Sequence, residues 1–264
     1  MDRKWVIIPD WNHLEESITI ANTYNAAFEY NDFFYSDVYM DDGEICRRIK
    51  KYLSLGRDTS MDTVHGVFFD IAPTSMDPII KSHSLGLMNQ SMSIAKRLGC
   101  IGVVFHTSLI SGLKLKSYQN GWLLGMETVF RELCKKYPML TIYLENTTEQ
   151  EPTLFIALIK RMKDVPNFKL CLDYAHANLT TTSLEVWCKE FSSYIGHIHL
   201  NDNDGIEDLH LACGTGTMDY SKFMQLSNQY FKDSPILLEV SGNAKAKQSL
   251  QYMNALGGND EKKD

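Results

Sequence analysis

Short apolar runs alternate with longer amphipathic stretches along the whole chain. Runs rich in Val, Ile, Leu and aromatic residues predict strands over Trp5–Ile8, Ala27–Tyr30, Thr63–Phe69, Ile101–His106, Leu140–Glu145, Phe168–Asp173, Tyr194–Leu200 and Ile236–Val240. Between them, apolar positions recur every three or four residues. This spacing predicts helices over Leu14–Tyr24, Gly43–Leu55, Leu85–Leu98, Gly121–Tyr137, Thr153–Lys163, Ser183–Phe191, Ser221–Phe231 and Ala244–Leu256. Glu151-Pro152-Thr153 and Asp219 supply the start chemistry of two of these helices.

Strands that alternate with helices imply parallel pairing through right-handed crossovers. Eight such units in 264 residues match the size of a (β/α)8 TIM barrel, an α/β fold whose site forms at the C-terminal mouth of the strands. A doubly wound open sheet is the rival. Cys213-Gly214-Thr215-Gly216 offers it little, because it lacks a third glycine, does not directly follow a strand and reads as a turn. The expectation is one barrel over residues 1–256, with the polar stretch GGNDEKKD at 257–264 as a frayed tail.

Composition narrows the class. Hydrophobic residues make up 44% and charged residues 22%, enough apolar material for a sizeable core. Lys and Arg number 26 against 33 Asp and Glu, a formal charge of −7, which disfavours nucleic acid as a partner. No apolar run approaches a membrane span, so no membrane partner is expected. The opening MDRKWVIIPDW is too short in apolar residues for a secretory signal, and the six scattered cysteines form no CxxC pair. Cytoplasm with reduced thiols is the expected compartment.

The chemistry lies where imidazoles and carboxylates fall. His65 is on the third strand, His106 ends the fourth and Glu145 the fifth. Asp173 ends the sixth with His176 three residues on, His199 ends the seventh with Asp208 and His210 in its loop, and Glu239 ends the eighth. Any one of these is an ordinary polar group. Six consecutive strands bearing them is different, because carboxylates crowded at one mouth repel unless a cation neutralises them. Imidazole and carboxylate donors without thiolate suit zinc, manganese, cobalt or iron. His197 points inward one layer below His199, either to orient a ligand or as a buried structural group. His13 reads as a loop or cap residue, His83 as solvent-facing, and Cys213 stands in a mouth loop near His210.

The stretches VHGVFFD, VVFHTS, IYLENTTE, LCLDYAHAN, HIHLNDNDGIEDLHLACGTGTMDY and ILLEVSG resemble, in order and spacing, the xylose isomerase-like TIM barrels. These include sugar-phosphate isomerases and epimerases, and endonuclease IV. In the isomerase and epimerase branches, the resemblance implies one divalent ion held by Glu145, Asp173, His199 and Glu239. In the endonuclease branch it implies three zinc ions. His65 and His106 would join Glu145 on one; Asp173, His199 and Glu239 would hold another, with Glu145 bridging; His176, Asp208 and His210 would hold the third. Two features depart from the endonuclease pattern: Leu209 replaces an arginine, and Leu211-Ala212-Cys213 replaces a stretch containing proline or glycine.

The leading expectation is a metal-dependent isomerase or epimerase of a sugar or sugar phosphate. A manganese, cobalt or zinc ion would act as a Lewis acid toward an enediolate, while Glu145 and Glu239 move the proton alpha to the carbonyl. His176 and His210 would orient hydroxyls, and Lys114 and Lys116 would meet a phosphate if they are not simply solvated. Alternatives are a trinuclear zinc phosphodiesterase, a metal-dependent dehydratase or lyase, and a non-catalytic binding barrel. The outer helices could pair with a second copy of the chain.

Overall fold

In a computed structural model of the protein, described for residues 4–110 and 112–260, the strands close into a parallel barrel in chain order. They are β1 (Trp5–Ile7), β2 (Ala27–Tyr30), β3 (Thr63–His65), β4 (Gly102–His106), β5 (Thr141–Glu145), β6 (Phe168–Asp173), β7 (Ile195–Leu200) and β8 (Ile236–Leu238). The helices are α1 (Leu14–Tyr24), α2 (Ser36–Tyr39), α3 (Asp42–Leu53), α4 (Pro78–Leu98), α5 (Lys116–Lys136), α6 (Thr153–Arg161), α7 (Tyr174–Asn178), α8 (Leu184–Phe191), α9 (Tyr220–Tyr230) and α10 (Asn243–Asp260). The expected (β/α)8 architecture is the one observed. No described helix is long and apolar enough to cross a membrane.

Packing groups the residues into two compact units. One comprises Met1–Glu29, Asn146–Glu151 and Cys171–Asp264. Within it β1 pairs with β2 and β8, and β7 pairs with β8, so that His199 lies opposite Leu237. Its core includes Trp187 against Phe191 and Tyr174 against Phe223, all fully buried. The other unit comprises Tyr30–Glu145 and Pro152–Leu170. There β3, β4 and β5 pair in register, which puts His65 opposite Val104 and His106 opposite Glu145. Phe130 packs between Phe105 and Phe168 in its core.

Local chemistry sets where several elements begin and end. Asp77 caps α4 by accepting from Ile79 and Ile80, and Pro78 takes the first turn, where a missing N–H costs nothing. The helix therefore starts seven residues before the expected Leu85. Lys81, Ser82 and His83 in its first turns are exposed, which hides the apolar period. The next long helix likewise starts at Lys116 and not at Gly121.

The run Thr63–Phe69 continues as strand only to His65. Phe68 and Phe69 turn out of the sheet and pack on one another and on Phe34. A side chain at Gly66 would strike the Phe105 ring, so the chain leaves the sheet at a residue without one. At the other end of the chain, α10 runs to Asp260. The expected polar tail thus begins inside a helix, and residues 261–264 lie outside those described.

Candidate metal centre

Three strands of one unit end in one cluster. His65 Nε2 lies 3.5 Å and His106 Nε2 3.3 Å from the same Glu145 oxygen, Oε2. The ligand-type atoms of the three residues are all within 4.8 Å of one another. Aromatic rings set the two imidazoles: Phe68 stacks on His106 at 4.3 Å, and Phe34 meets His65 edge-on. His65 Nδ1 is 3.0 Å from the carbonyl oxygen of Gly66. A carbonyl only accepts, so Nδ1 carries the hydrogen and Nε2 turns its lone pair toward Glu145.

The other unit repeats this logic. His176 Nδ1–H donates to the Asn146 carbonyl at 3.0 Å, and His210 Nδ1–H donates to the Glu239 carbonyl at 2.9 Å. Their Nε2 atoms then face one oxygen, Asp208 Oδ2, at 3.0 and 2.9 Å. Asp173 ends β6 and caps α7, its carboxylate accepting from the backbone N–H of His176 at 2.6 Å. Asn146 holds Asp173 in place by pairing its side-chain amide with the Asp173 backbone, donating to the carbonyl and accepting from the N–H, both at 2.9 Å.

His199, fully buried, has Nδ1 3.4 Å from Glu239 Oε2 and Nε2 3.3 Å from Glu29 Oε1. The expected strand end at Glu239 falls one residue beyond β8, although its N–H still donates to the Leu200 carbonyl.

The loop that carries Asp208 and His210 hangs on Asp202. That buried carboxylate accepts four backbone N–H bonds, from Asn203, Gly214, Gly216 and Met218. An antiparallel bridge between Asp202 and Leu211 leaves His210 at φ 45°, a left-handed conformation that costs energy for a residue with a side chain.

Charge follows these contacts. Burial works to raise the Glu29 carboxyl, but His199 and His197 outweigh it and hold it well below the usual carboxylate range. Burial likewise opposes charge on Asp208, yet the hydrogen-bonding imidazoles of His176 and His210 keep its carboxyl far below the ordinary value. Burial opposes charge on His210 too, and the Asp208 hydrogen bond with the nearby Glu239 carboxylate raises it to about 10.

The donor set fits a divalent cation. Imidazole nitrogens and carboxylate oxygens face one another at 2.9 to 3.5 Å, an arrangement that needs a positive charge between them, a proton or a metal ion, and no thiol takes part. Cys213, in the loop that carries Asp208 and His210, is buried, and burial pushes its thiol up to about 11. Lys114 and Lys116 are exposed, and Lys116 reaches Gln119 at 3.4 Å. His13 caps α1 and pairs with Asp10 at 3.1 Å, and His83 is exposed.

Three residues that build this arrangement escape a reading of the chain by residue type: Asn146, Asp202 and Glu29. Glu29 alone left a signal, as a carboxylate inside the apolar strand Ala27–Tyr30.

Known proteins share the arrangement's scaffold. "Uncharacterized protein MJ1311" of Methanocaldococcus jannaschii is 26% identical over 201 residues, covering 72% of this chain and 68% of that protein. A crystal structure of a D-tagatose 3-epimerase-like protein matches with a TM-score of 0.77 at 20% identity, covering 98% of this chain and 99% of the other. L-ribulose 3-epimerase matches with a TM-score of 0.72 at 17% identity, covering 99% and 97%. The profile of one family spans residues 25–256, from β2 through most of α10, and so takes in every strand end that carries an imidazole or carboxylate. On that match the chain belongs to the xylose isomerase-like TIM barrel family.

Proposed function

We propose that the protein is a divalent-metal-dependent epimerase or isomerase of a sugar or sugar phosphate. One observation carries this reading: the successive strands β5, β6, β7 and β8 each bring one ligand-type residue to their carboxyl ends, namely Glu145, Asp173, His199 and Glu239. The likeness to the structures of L-ribulose 3-epimerase and of a D-tagatose 3-epimerase-like protein supports the same class. These four residues would hold one manganese, cobalt or zinc ion. Bound there, it would polarise a substrate carbonyl and its neighbouring hydroxyl as a Lewis acid.

The protein's own groups then move the proton. Glu145, which ends β5, and Glu239, one residue beyond β8, are the two carboxylates that would act on opposite faces of a bound ketose. One carboxylate removes the hydrogen alpha to the carbonyl, and the other returns a proton from the opposite side, inverting the carbon. His176 and His210 orient hydroxyls beside them. Lys114 and Lys116 are placed in solvent by their exposure and enter the reading only for a phosphorylated substrate.

The test is incubation of the manganese-loaded protein with D-tagatose, L-ribulose and D-allulose, and their phosphates, in D2O. Deuterium at the carbon beside the carbonyl and appearance of the epimer are the expected result. Glu145→Gln and Glu239→Gln should each lower turnover by roughly 10²–10⁴-fold. Retained turnover in both variants, or no exchange across the panel, would sink the reading.

A second reading has its own observation. His176, Asp208 and His210 form a ligand-type group that the single-ion reading does not use to hold metal, with both Nε2 atoms on one carboxylate oxygen. It favours a three-zinc phosphodiesterase. Three zinc ions per chain, with hydrolysis of bis(p-nitrophenyl) phosphate and no ketose turnover, would put this reading first.

A further inference from the structure

We infer that Glu29 is a positioning residue: its carboxylate fixes His199 as the Nε2–H tautomer and so turns the Nδ1 lone pair toward Glu239. It serves the cation in this way only if His199 and Glu239 are ligands, as proposed above.

Glu29 is the third residue of β2, fully buried between Phe28 and Tyr30 in sequence. A carboxylate withdrawn from water is strongly destabilising unless donors surround it. Its two oxygens each meet a different imidazole. His197 Nε2 is 3.0 Å from Oε2, and His199 Nε2 is 3.3 Å from Oε1. An ionised carboxylate has no hydrogen to give, so each nitrogen that faces it carries one. A neutral imidazole carries only one, and His199 meets a carboxylate oxygen at each nitrogen; a cation held by both His199 and Glu239 would take the place of a hydrogen on that side, which leaves the hydrogen on Nε2 toward Glu29 and Nδ1 as the lone pair. That atom faces Glu239 Oε2 at 3.4 Å. The two imidazoles meet edge-on, with centroids 5.3 Å apart and planes at 83°, so His197 occupies one carboxylate oxygen and leaves the other for His199.

The contrast with the other imidazoles sharpens the assignment. His65, His176 and His210 each give Nδ1–H to a backbone carbonyl, that of His176 lying also 3.2 Å from Asp173 Oδ2, and turn Nε2 toward a carboxylate. His199 is reversed, and the acceptor behind it is an anion in place of a neutral carbonyl. A carboxylate behind a ligating imidazole makes the ring a stronger donor and fixes its orientation.

The experiment uses the full chain, freed of metal by chelation. Long-range 1H–15N correlation on the 15N-labelled protein, reloaded with zinc(II), reads the His199 tautomer, with the His199→Asn variant supplying the assignment. Manganese(II) titration then gives the affinity of the wild type and of Glu29→Gln. The expected results are an Nε2–H tautomer in the wild type, its loss in Glu29→Gln, and manganese affinity weakened by roughly 10–100-fold. The tautomer should change because the glutamine NH2 faces one of the two imidazoles with a donor.

An Nδ1–H tautomer in the wild type overturns the inference, whether or not the variant folds. So does a folded Glu29→Gln variant whose manganese affinity stays within about twofold of the wild type, against the larger loss expected of such partners. His197→Gln, which leaves Glu29 in place but frees one oxygen, should keep the Nε2–H tautomer of His199; its loss there would transfer the role to His197. Failure of the wild type to bind manganese(II), cobalt(II) or zinc(II) would instead refute the ligand reading itself, and the positioning role with it.

Discussion

Replacing Asp202 with alanine asks whether one buried carboxylate holds the loop that carries Asp208 and His210. Asp202 follows β7 and is 0% exposed. Oδ1 accepts from the N–H groups of Asn203 and Met218 at 3.0 Å, and Oδ2 accepts from those of Gly214 and Gly216 at 2.9 Å. Hydrogen bonds to a charged group contribute about 1.5–3 kcal/mol each, so four independent ones would sum to roughly 6–12 kcal/mol. That is an upper bound, because the four donors share one carboxylate and the two glycines lie in an exposed turn where water can replace the acceptor.

Asn203 and Met218 are buried, and a buried donor left without an acceptor costs about 1–3 kcal/mol. The expected loss is therefore about 3–5 kcal/mol of unfolding free energy, a large share of a typical domain's stability. Urea denaturation of the metal-free protein, followed by circular dichroism, measures it. Asp202→Asn keeps one acceptor oxygen but turns an NH2 toward the remaining donors, so it should recover less than half of the loss. A change below about 1 kcal/mol in Asp202→Ala would refute the reasoning, since it would mean that the four N–H groups are equally well served by water.

In metal-free protein, the His210 imidazole should titrate well above its ordinary 6.5, toward about 10, as followed by NMR. Because its pKa is raised on folding, the stability it contributes is complete below pH 6.5 and is lost as pH rises through about 10; titration at or below 6.5 would refute the arrangement. Asp208 works in the opposite sense: its lowered carboxyl gives stability that is complete above its ordinary 3.8 and is lost on further acidification. Gly102→Ala should destabilise the protein by about 1–3 kcal/mol or more in urea, a typical cost of overpacking. The new methyl would lie 2.3 Å from the Thr141 carbonyl oxygen and 2.6 Å from the Tyr143 ring, and an unchanged midpoint would show that β4 and β5 can part there.

Much of this was legible in the chain, and the rest was hidden for identifiable reasons. The strand ends at His106, Glu145 and Asp173 follow from apolar runs that stop at a charged or imidazole residue, and His199 stands one residue before the end of its run at Leu200. Val67-Phe68-Phe69 misleads the same reading, because an apolar run does not say whether its rings pack beneath a sheet or beside an imidazole. The start of α4 was written in Asp77-Pro78, but the exposed turn after it has no apolar stripe to extend the pattern back. Asp202 reads as one more loop acid, since the four N–H groups it accepts come from backbone that carries no residue code.

The same limit governs the imidazoles. Which nitrogen of His65, His176 or His210 carries the hydrogen is decided by the carbonyls of Gly66, Asn146 and Glu239, and backbone carbonyls look alike in every sequence. Yet that choice sets the chemistry. With Nδ1 committed, the Nε2 atoms of His176 and His210 converge on Asp208 Oδ2 at 3.0 and 2.9 Å, and only a positive charge reconciles them. A proton on the imidazole meets that need as well as a metal ion does. The raised pKa of His210 and the fitness of this group for a cation are therefore one property, and a metal that binds there must first displace the proton.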